Sequence, residues 1–230
     1  MTYPRYAIYV LPEPGPLADF GAAWMQWDPR SGTTPGPPQL PELPMRLADI
    51  TQTPRRYGFH GTIKPPFRLH NDQTETDLQS ALESYCTRTA PVALEALELA
   101  RLGRFLALVP VGNTAGLMAL AADVVREFDR FRAPLNAPEL ERRRQGGLSA
   151  RQEAMLHEWG YPYVMEEFRF HLTLTGKLPK AKAAALADTL APVLAPLLHA
   201  PCAIRSLSLM GEGGDGMFRQ IACFALTGQS

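Results

Sequence analysis

The stretch FRFHLTLTGK (168–177) restricts what this chain can fold into more than any other. Side chains alternate sides along a strand with period two. Phe168, Phe170, Leu172 and Leu174 then share one wholly apolar face, and Arg169, His171, Thr173 and Thr175 share the other. The pattern predicts a strand backed by a core, with its polar side either wet or lining a pocket. A second stretch, FHGTIK (59–64), repeats the theme: Phe before His, Thr two residues later, an apolar residue after the Thr. His60, Thr62 and Lys64 fall on one face of that strand. The chain has five histidines, so two in matched surroundings about a hundred residues apart is a specific signal.

Around these two strands the elements alternate in type. RYAIYVL (5–11) reads as a strand, stopped by the proline cluster that follows. LADFGAAWMQWDP (17–29) carries Leu17, Phe20, Trp24 and Trp27 at helical spacing, inside a proline-rich stretch (12–44) expected to cross the surface in ordered form. RYGFHGTIKPPFRL (56–69) is a strand expected to end at Pro65-Pro66, and TETDLQSALESYCTR (74–88) a helix capped by Thr74. VALEALELAR and RFLALVPV flank Gly103 as a hairpin. Helices are expected from 115 to 165, including an amphipathic one through Leu117, Leu120, Ala121, Val124, Val125 and Phe128, and a capping box at Ser149/Gln152. After FRFHLTLTG come an Ala/Leu-rich helix (180–198) interrupted by Pro192 and Pro196, then a hairpin about GEGGDG (211–216). The order is α+β, and the two halves look alike in outline.

The charges exclude some partners. Lys plus Arg (23) equals Asp plus Glu (23), so no global field draws in nucleic acid or an anionic membrane, and any basic patch is local. Three cysteines, odd in number and far apart, fit free thiols in a reducing compartment. MTYPRYAIYVLPEP lacks the features of a signal peptide, and no stretch approaches a membrane span. These readings predict a cytoplasmic protein.

Each half offers an imidazole and a hydroxyl side by side, with a cation two residues away. That set suits an anionic diester. Two imidazoles can serve as general base and general acid on opposite sides of phosphorus. Thr62 and Thr173 can donate to non-bridging oxygens, while Lys64 or Arg169 offsets developing charge. The chemistry asks for no metal and no cofactor, and no acidic cluster stands beside the histidines in the sequence.

RYAIYVLP, YGFHGTIKPPF, FDRFRAPL, WGYPYVME and FRFHLTLTG together resemble the DUF1045 branch of the 2H phosphoesterase superfamily, over nearly the full length. The resemblance implies two pseudo-symmetric lobes of antiparallel sheet with outer helices around a central groove, and one His-x-Thr motif per lobe. It places His60, Thr62, His171 and Thr173 as the catalytic set. It implies a single domain over 1–230, with lobe one over about 1–115 and lobe two over about 116–230, the latter carrying the helical segment 115–165 as an insertion. It further implies a metal-independent phosphoesterase acting on a cyclic phosphodiester of a small sugar or nucleotide, with a ribose cyclic phosphate of phosphonate catabolism suggested by the branch's usual gene context. Alternatives on the same site are RNA 2′,3′-cyclic phosphate processing, 2′–5′ ligation, or a non-catalytic module that binds a cyclic nucleotide. The expected partner is thus a small phosphorylated substrate; nucleic acid is not favoured, and neither oligomeric state nor which histidine is the base can be read from the residues.

Further candidates for substrate contact are Lys64, Arg169, Tyr57, Tyr163 and Arg132. Tyr57 and Tyr163 lie on the segments entering the two strands. Arg132 follows the amphipathic helix, where the helix dipole favours a cation. ERRRQ (141–145) reads as a solvated helix face, and His70, His157 and His199 as surface or packing residues. The role of Thr175 stays open.

Overall fold

The computed structural model describes residues 3–198 and 201–229; His199 lies outside the described residues. The strands are β1 (Tyr6–Val10), β2 (Gly61–Phe67), β3 (Val92–Leu94), β4 (Ala96–Leu102), β5 (Phe105–Val111), β6 (Leu172–Thr173), β7 (Cys202–Ile204), β8 (Ser206–Glu212) and β9 (Phe218–Ala225). Seven of them form one antiparallel sheet in the order β4-β5-β6-β2-β1-β8-β9, while β3 pairs with β7. The helices are α1 (Pro16–Met25), α2 (Leu47–Thr51), α3 (Glu75–Arg88), α4 (Ala115–Glu127), α5 (Ala137–Arg144), α6 (Ala150–Trp159) and α7 (Lys180–Leu194). The class is α+β, as the element order predicts. No helix among the described residues is long and apolar enough to cross a membrane.

The alternation in the sequence places the core. Tyr6, Ile8 and Val10 of β1 join Phe168, Phe170, Leu172 and Leu174 in the main core, all of them buried. Ala7, Tyr9 and Leu11 point to the opposite face of the sheet, where they pack with Met210 and Phe218. That second face is the one on which the polar sides of β2 and β6 lie. Trp24 of α1 is fully buried and donates from Nε1 to the Leu174 carbonyl at 2.7 Å, tying α1 beneath the end of β6. The helix starts follow the expected chemistry: Thr74 caps α3 in a capping box with Asp77, and Ser149 caps α6 with Gln152. Leu117, Leu120, Ala121, Val124 and Val125 are the buried stripe of α4.

Three local expectations are corrected. First, β2 runs through Pro65-Pro66 to Phe67 rather than ending there. Tyr6 pairs with Phe67 and Ile8 with Lys64, so the two prolines bulge opposite Ala7; β6 pairs with β2 only at Gly61, which leaves no ladder for their missing N–H groups to break. Second, β6 is two residues long. The Thr175 hydroxyl accepts the Leu106 N–H at 3.0 Å, taking the place of a strand carbonyl, and Gly176 N–H turns away to the Ile50 carbonyl at 2.8 Å. Thr175, 1% exposed, is thereby a ladder terminator. Third, α7 passes Pro192 and ends at Leu194, with Pro196 in a short 3-10 turn beyond it.

Candidate functional site

The two His-x-Thr segments meet where β2 pairs with β6, within the seven-stranded sheet. Gly61 of β2 pairs with Leu172 of β6, antiparallel. That register, continued one residue each way, sets His60 beside Thr173 and Thr62 beside His171. Gly61 makes the approach possible: a Cβ there would stand 2.4 Å from the Phe170 ring, which packs beneath the ladder.

Both imidazoles are held in the same way. His60 Nδ1 lies 2.9 Å from the Gly58 carbonyl, and His171 Nδ1 lies 2.7 Å from the Arg169 carbonyl, each two residues upstream. A carbonyl only accepts, so Nδ1 carries the proton in each neutral ring and Nε2 keeps its lone pair. Gly58 reaches this geometry with φ 72°, in the region that favours glycine. His60 Nε2 lies 3.0 Å from the Thr62 hydroxyl. The Tyr9 ring covers the His60 imidazole at 3.9 Å between centroids. Burial drives the His60 pKa down to about 4, against the Gly58 hydrogen bond, which raises it; the nearby His171 lowers it further. Burial likewise pushes the Tyr9 phenol well above its ordinary value.

His60, Thr62, Thr173, Tyr9 and Tyr57 line a cavity of about 450 Å³. Of the remaining candidates, Lys64 and Arg132 also reach its wall. Lys64 is 2% exposed, donates to the Val125 carbonyl at 3.2 Å and stands 3.5 Å from Asp129. Burial lowers its pKa to about 8, with Asp129 opposing that shift. Arg132 grips the same Asp129 through two bonds of 2.8 and 3.0 Å. Arg169 is placed differently: exposed, it donates to the Glu166 and Phe168 carbonyls and forms no part of the cavity wall. Strand parity fails there because β6 starts only at Leu172. Tyr163 is 45% exposed and packs edge-on against Tyr161; the latter lines the cavity.

Sequence reasoning missed much of the wall. Arg5, Arg56, Arg68, Arg142 and Arg143 all line the cavity. ERRRQ is therefore not simply a solvated face: Arg143 lies over the Tyr161 ring at 4.5 Å, and burial lowers its pKa. These arginines come from α5, the segments before β1 and β2, and the residue just after β2, so no local motif links them. Arg56 lies over Tyr57 at 4.6 Å, and Arg5 is fixed by two bonds of 2.5 and 2.7 Å to Glu212. Among the described residues no three His, Cys, Asp or Glu side chains gather closely enough to hold a metal ion.

Fold and site describe an α+β protein whose two His-x-Thr segments pair beside an arginine-lined cavity; Thr173 lines it, and His171, beside it on the ladder, is not among the lining residues. The family model DUF1045, a protein family of unknown function, matches residues 62–219, and the chain belongs to that family. Two curated relatives carry the name ribose 1,5-bisphosphate phosphokinase PhnN. The one from Janthinobacterium sp. (strain Marseille) is 40% identical over 181 residues, which is 78% of this chain and 40% of that protein. The one from Laribacter hongkongensis (strain HLHK9) is 35% identical over 176 residues, 76% of this chain and 40% of that protein. The chain thus spans less than half the length of these relatives. Among solved structures, TT0787 of Thermus thermophilus aligns over 98% of this chain and 100% of its own, with 15% identity and a TM-score of 0.46. E. coli LigT complexed with NADP+ aligns over 99% of both chains, with 15% identity and a TM-score of 0.40. Similarity at that level leaves the description of the fold resting on the sheet itself.

Proposed function

We propose that the chain is a 2H-type phosphoesterase that opens a cyclic phosphodiester of a small sugar or nucleotide, using His60 and His171 as the acid–base pair and no metal ion. The observation that carries this reading is the ladder register: His60 beside Thr173 and Thr62 beside His171, with both Nδ1 atoms tied to backbone carbonyls. This leaves two Nε2 atoms as the proton-transfer positions.

His60 takes the base role, because burial keeps it neutral around pH 7. It removes a proton from water as the water oxygen bonds to phosphorus. The ring P–O bond breaks on the opposite side, and His171 delivers a proton to the leaving alkoxide. The product is a phosphomonoester. Thr173 donates to a non-bridging oxygen, Thr62 does so once the attacking water has taken its place at His60 Nε2, and Lys64 offsets the charge that builds there.

A cavity of about 450 Å³ suits a small molecule rather than a polymer. The curated relatives are named for a kinase of ribose 1,5-bisphosphate, which supports a ribose cyclic phosphate as the substrate. The test is a panel of ribose 1,2-cyclic and nucleoside 2′,3′-cyclic phosphates given to wild type, His60→Gln and His171→Gln, with products read by phosphorus NMR. Turnover by wild type alone is expected. A wild type that hydrolyses no member of the panel overturns the proposal, and turnover that a chelator abolishes and a divalent ion restores overturns its metal-free chemistry.

A further inference from the structure

The cavity holds more positive charge than a cyclic diester can use. Seven cationic side chains line it. Three carboxylates engage five of them: Glu139 holds Arg68, Asp129 is shared by Lys64 and Arg132, and Glu212 by Arg5 and Arg56. The sharing is unequal. Glu212 is bonded to Arg5 at 2.5 Å but stands 3.8 Å from Arg56, whose Nε is buried without a hydrogen-bond partner among the described residues. Neither Arg142 nor Arg143 forms a salt bridge among the described residues, although Glu139, bonded to Arg68, also feels the charge of Arg142; Arg143 sits close enough to Arg5 and Arg142 for both to disfavour its charge. Seven cations against three carboxylates leave an excess of four positive charges in a chain whose formal net charge is zero. Arg56 and Arg143 are half-buried and Arg142 is exposed; clustered guanidinium groups repel one another, the half-buried ones also lose hydration, and an anion that accepts their hydrogen bonds offsets both costs.

A cyclic phosphodiester carries one negative charge. A phosphomonoester adds about 1.5 to 2 more at neutral pH. We infer that Arg142 and Arg143 of α5, with Arg56, form a second anion subsite, and that the substrate is a cyclic phosphate ester that also bears a phosphomonoester group. This rests on the proposed esterase reading for its cyclic half, while the subsite stands on the arginines alone. Tyr57 and Tyr161 form its aromatic sides, each lying under a guanidinium. The forked, planar donors of these arginines match phosphate oxygens in pairs.

Two measurements test it. In the first, ribose 5-phosphate is titrated calorimetrically into wild type, the Arg142→Gln/Arg143→Gln variant and His60→Gln. Binding weakened about tenfold or more in the arginine variant, and retained in His60→Gln, is expected. Equal binding by wild type and the arginine variant overturns the subsite. A thermal melt like that of wild type shows the variant to be folded, and Arg143→Lys, which keeps the charge but loses the fork, gives an intermediate affinity. In the second, kcat/KM is compared for ribose 1,2-cyclic phosphate with and without a 5-phosphate. Wild type is expected to favour the phosphorylated ester, chiefly through KM, and the arginine variant to lose that preference without losing the unphosphorylated ester. Equal use of both esters by wild type overturns the inference. Absence of all turnover together with arginine-dependent binding of ribose 5-phosphate refutes the esterase reading and leaves the second subsite standing.

Discussion

The Tyr9 ring lies over the His60 imidazole, with 3.9 Å between centroids and 26° between planes. Tyr9 is 1% exposed and sits on β1 opposite Thr62, so the stack follows from strand register rather than from a flexible contact. It closes one face of the imidazole to water, while the Gly58 carbonyl fixes the ring's rotation. Preorganisation of this kind keeps Nε2 aimed at one place without reorganisation during a reaction.

The stack makes a prediction about protonation. Replacing Tyr9 by Leu admits water beside the imidazole, and the His60 pKa is expected to rise from about 4 towards its ordinary 6.5. Imidazole proton shifts followed by NMR through an acid titration give the value directly. An unchanged pKa would assign the desolvation to other walls of the cavity.

The same group couples stability to pH. The folded-state pKa of His60 lies below its unfolded value, so between pH 6.5 and about 4 the unfolded chain binds a proton that the native one does not. Stability contributed by a neutral His60 is complete above pH 6.5 and falls as pH drops towards 4, by about 3 kcal/mol. Urea melts of wild type and His60→Gln across this range are expected to diverge, the variant losing less.

By the ladder register Thr62 and Thr173 stand across from His171 and His60, and the Thr62 hydroxyl lies 3.0 Å from Nε2 of His60 in its own segment. Thr62→Val and Thr173→Val keep shape and burial but remove a donor at the ladder. Each is expected to lower kcat on a cyclic phosphate by about 10²-fold while leaving the melting temperature nearly unchanged. Steady-state kinetics beside a thermal melt separate this outcome from misfolding.

Gly61 is the close-approach point between β2 and β6. A methyl group there meets the Phe170 ring at 2.4 Å, so Gly61→Ala is expected to cost about 1–3 kcal/mol and to splay β2 from β6. Denaturant melts report the first effect. A rise in hydrogen exchange at the Gly61 and Leu172 amides reports the second.

Asp129 ties two cavity cations together, at 3.5 Å from Lys64 and 2.8 Å from Arg132. In Asp129→Asn the Lys64 pKa, already about 8, loses the carboxylate that opposes its fall and drops further. Arg132 loses its anchor at the same time. The expected kinetic result is a raised KM with a smaller change in kcat, measured on whichever cyclic ester wild type hydrolyses.

The strands, helices and caps were legible from local chemistry. The alternation of Phe168, Phe170, Leu172 and Leu174 announced a buried face, and all four are buried. Thr74 and Ser149 announced helix starts that carry capping boxes. What local chemistry misjudged was how far a strand extends. The prolines of β2 are absorbed by a bulge opposite Ala7, and Thr175 ends β6 with its own side chain. Both outcomes depend on the neighbouring strand.

For the site, the sequence by itself determined the two His-x-Thr segments and the shared face of His60 and Thr62, because strand periodicity and adjacent residues encode them. Tertiary structure alone decided that the segments pair across one ladder, that His171, Arg169 and Tyr163 are not among the residues of the cavity wall, and that Arg5, Arg56, Arg68, Arg142 and Arg143 are. The reason is physical. Charge gathers in a cleft through chain crossings that bring distant residues together, and a chain of zero net charge carries no trace of that gathering in its composition.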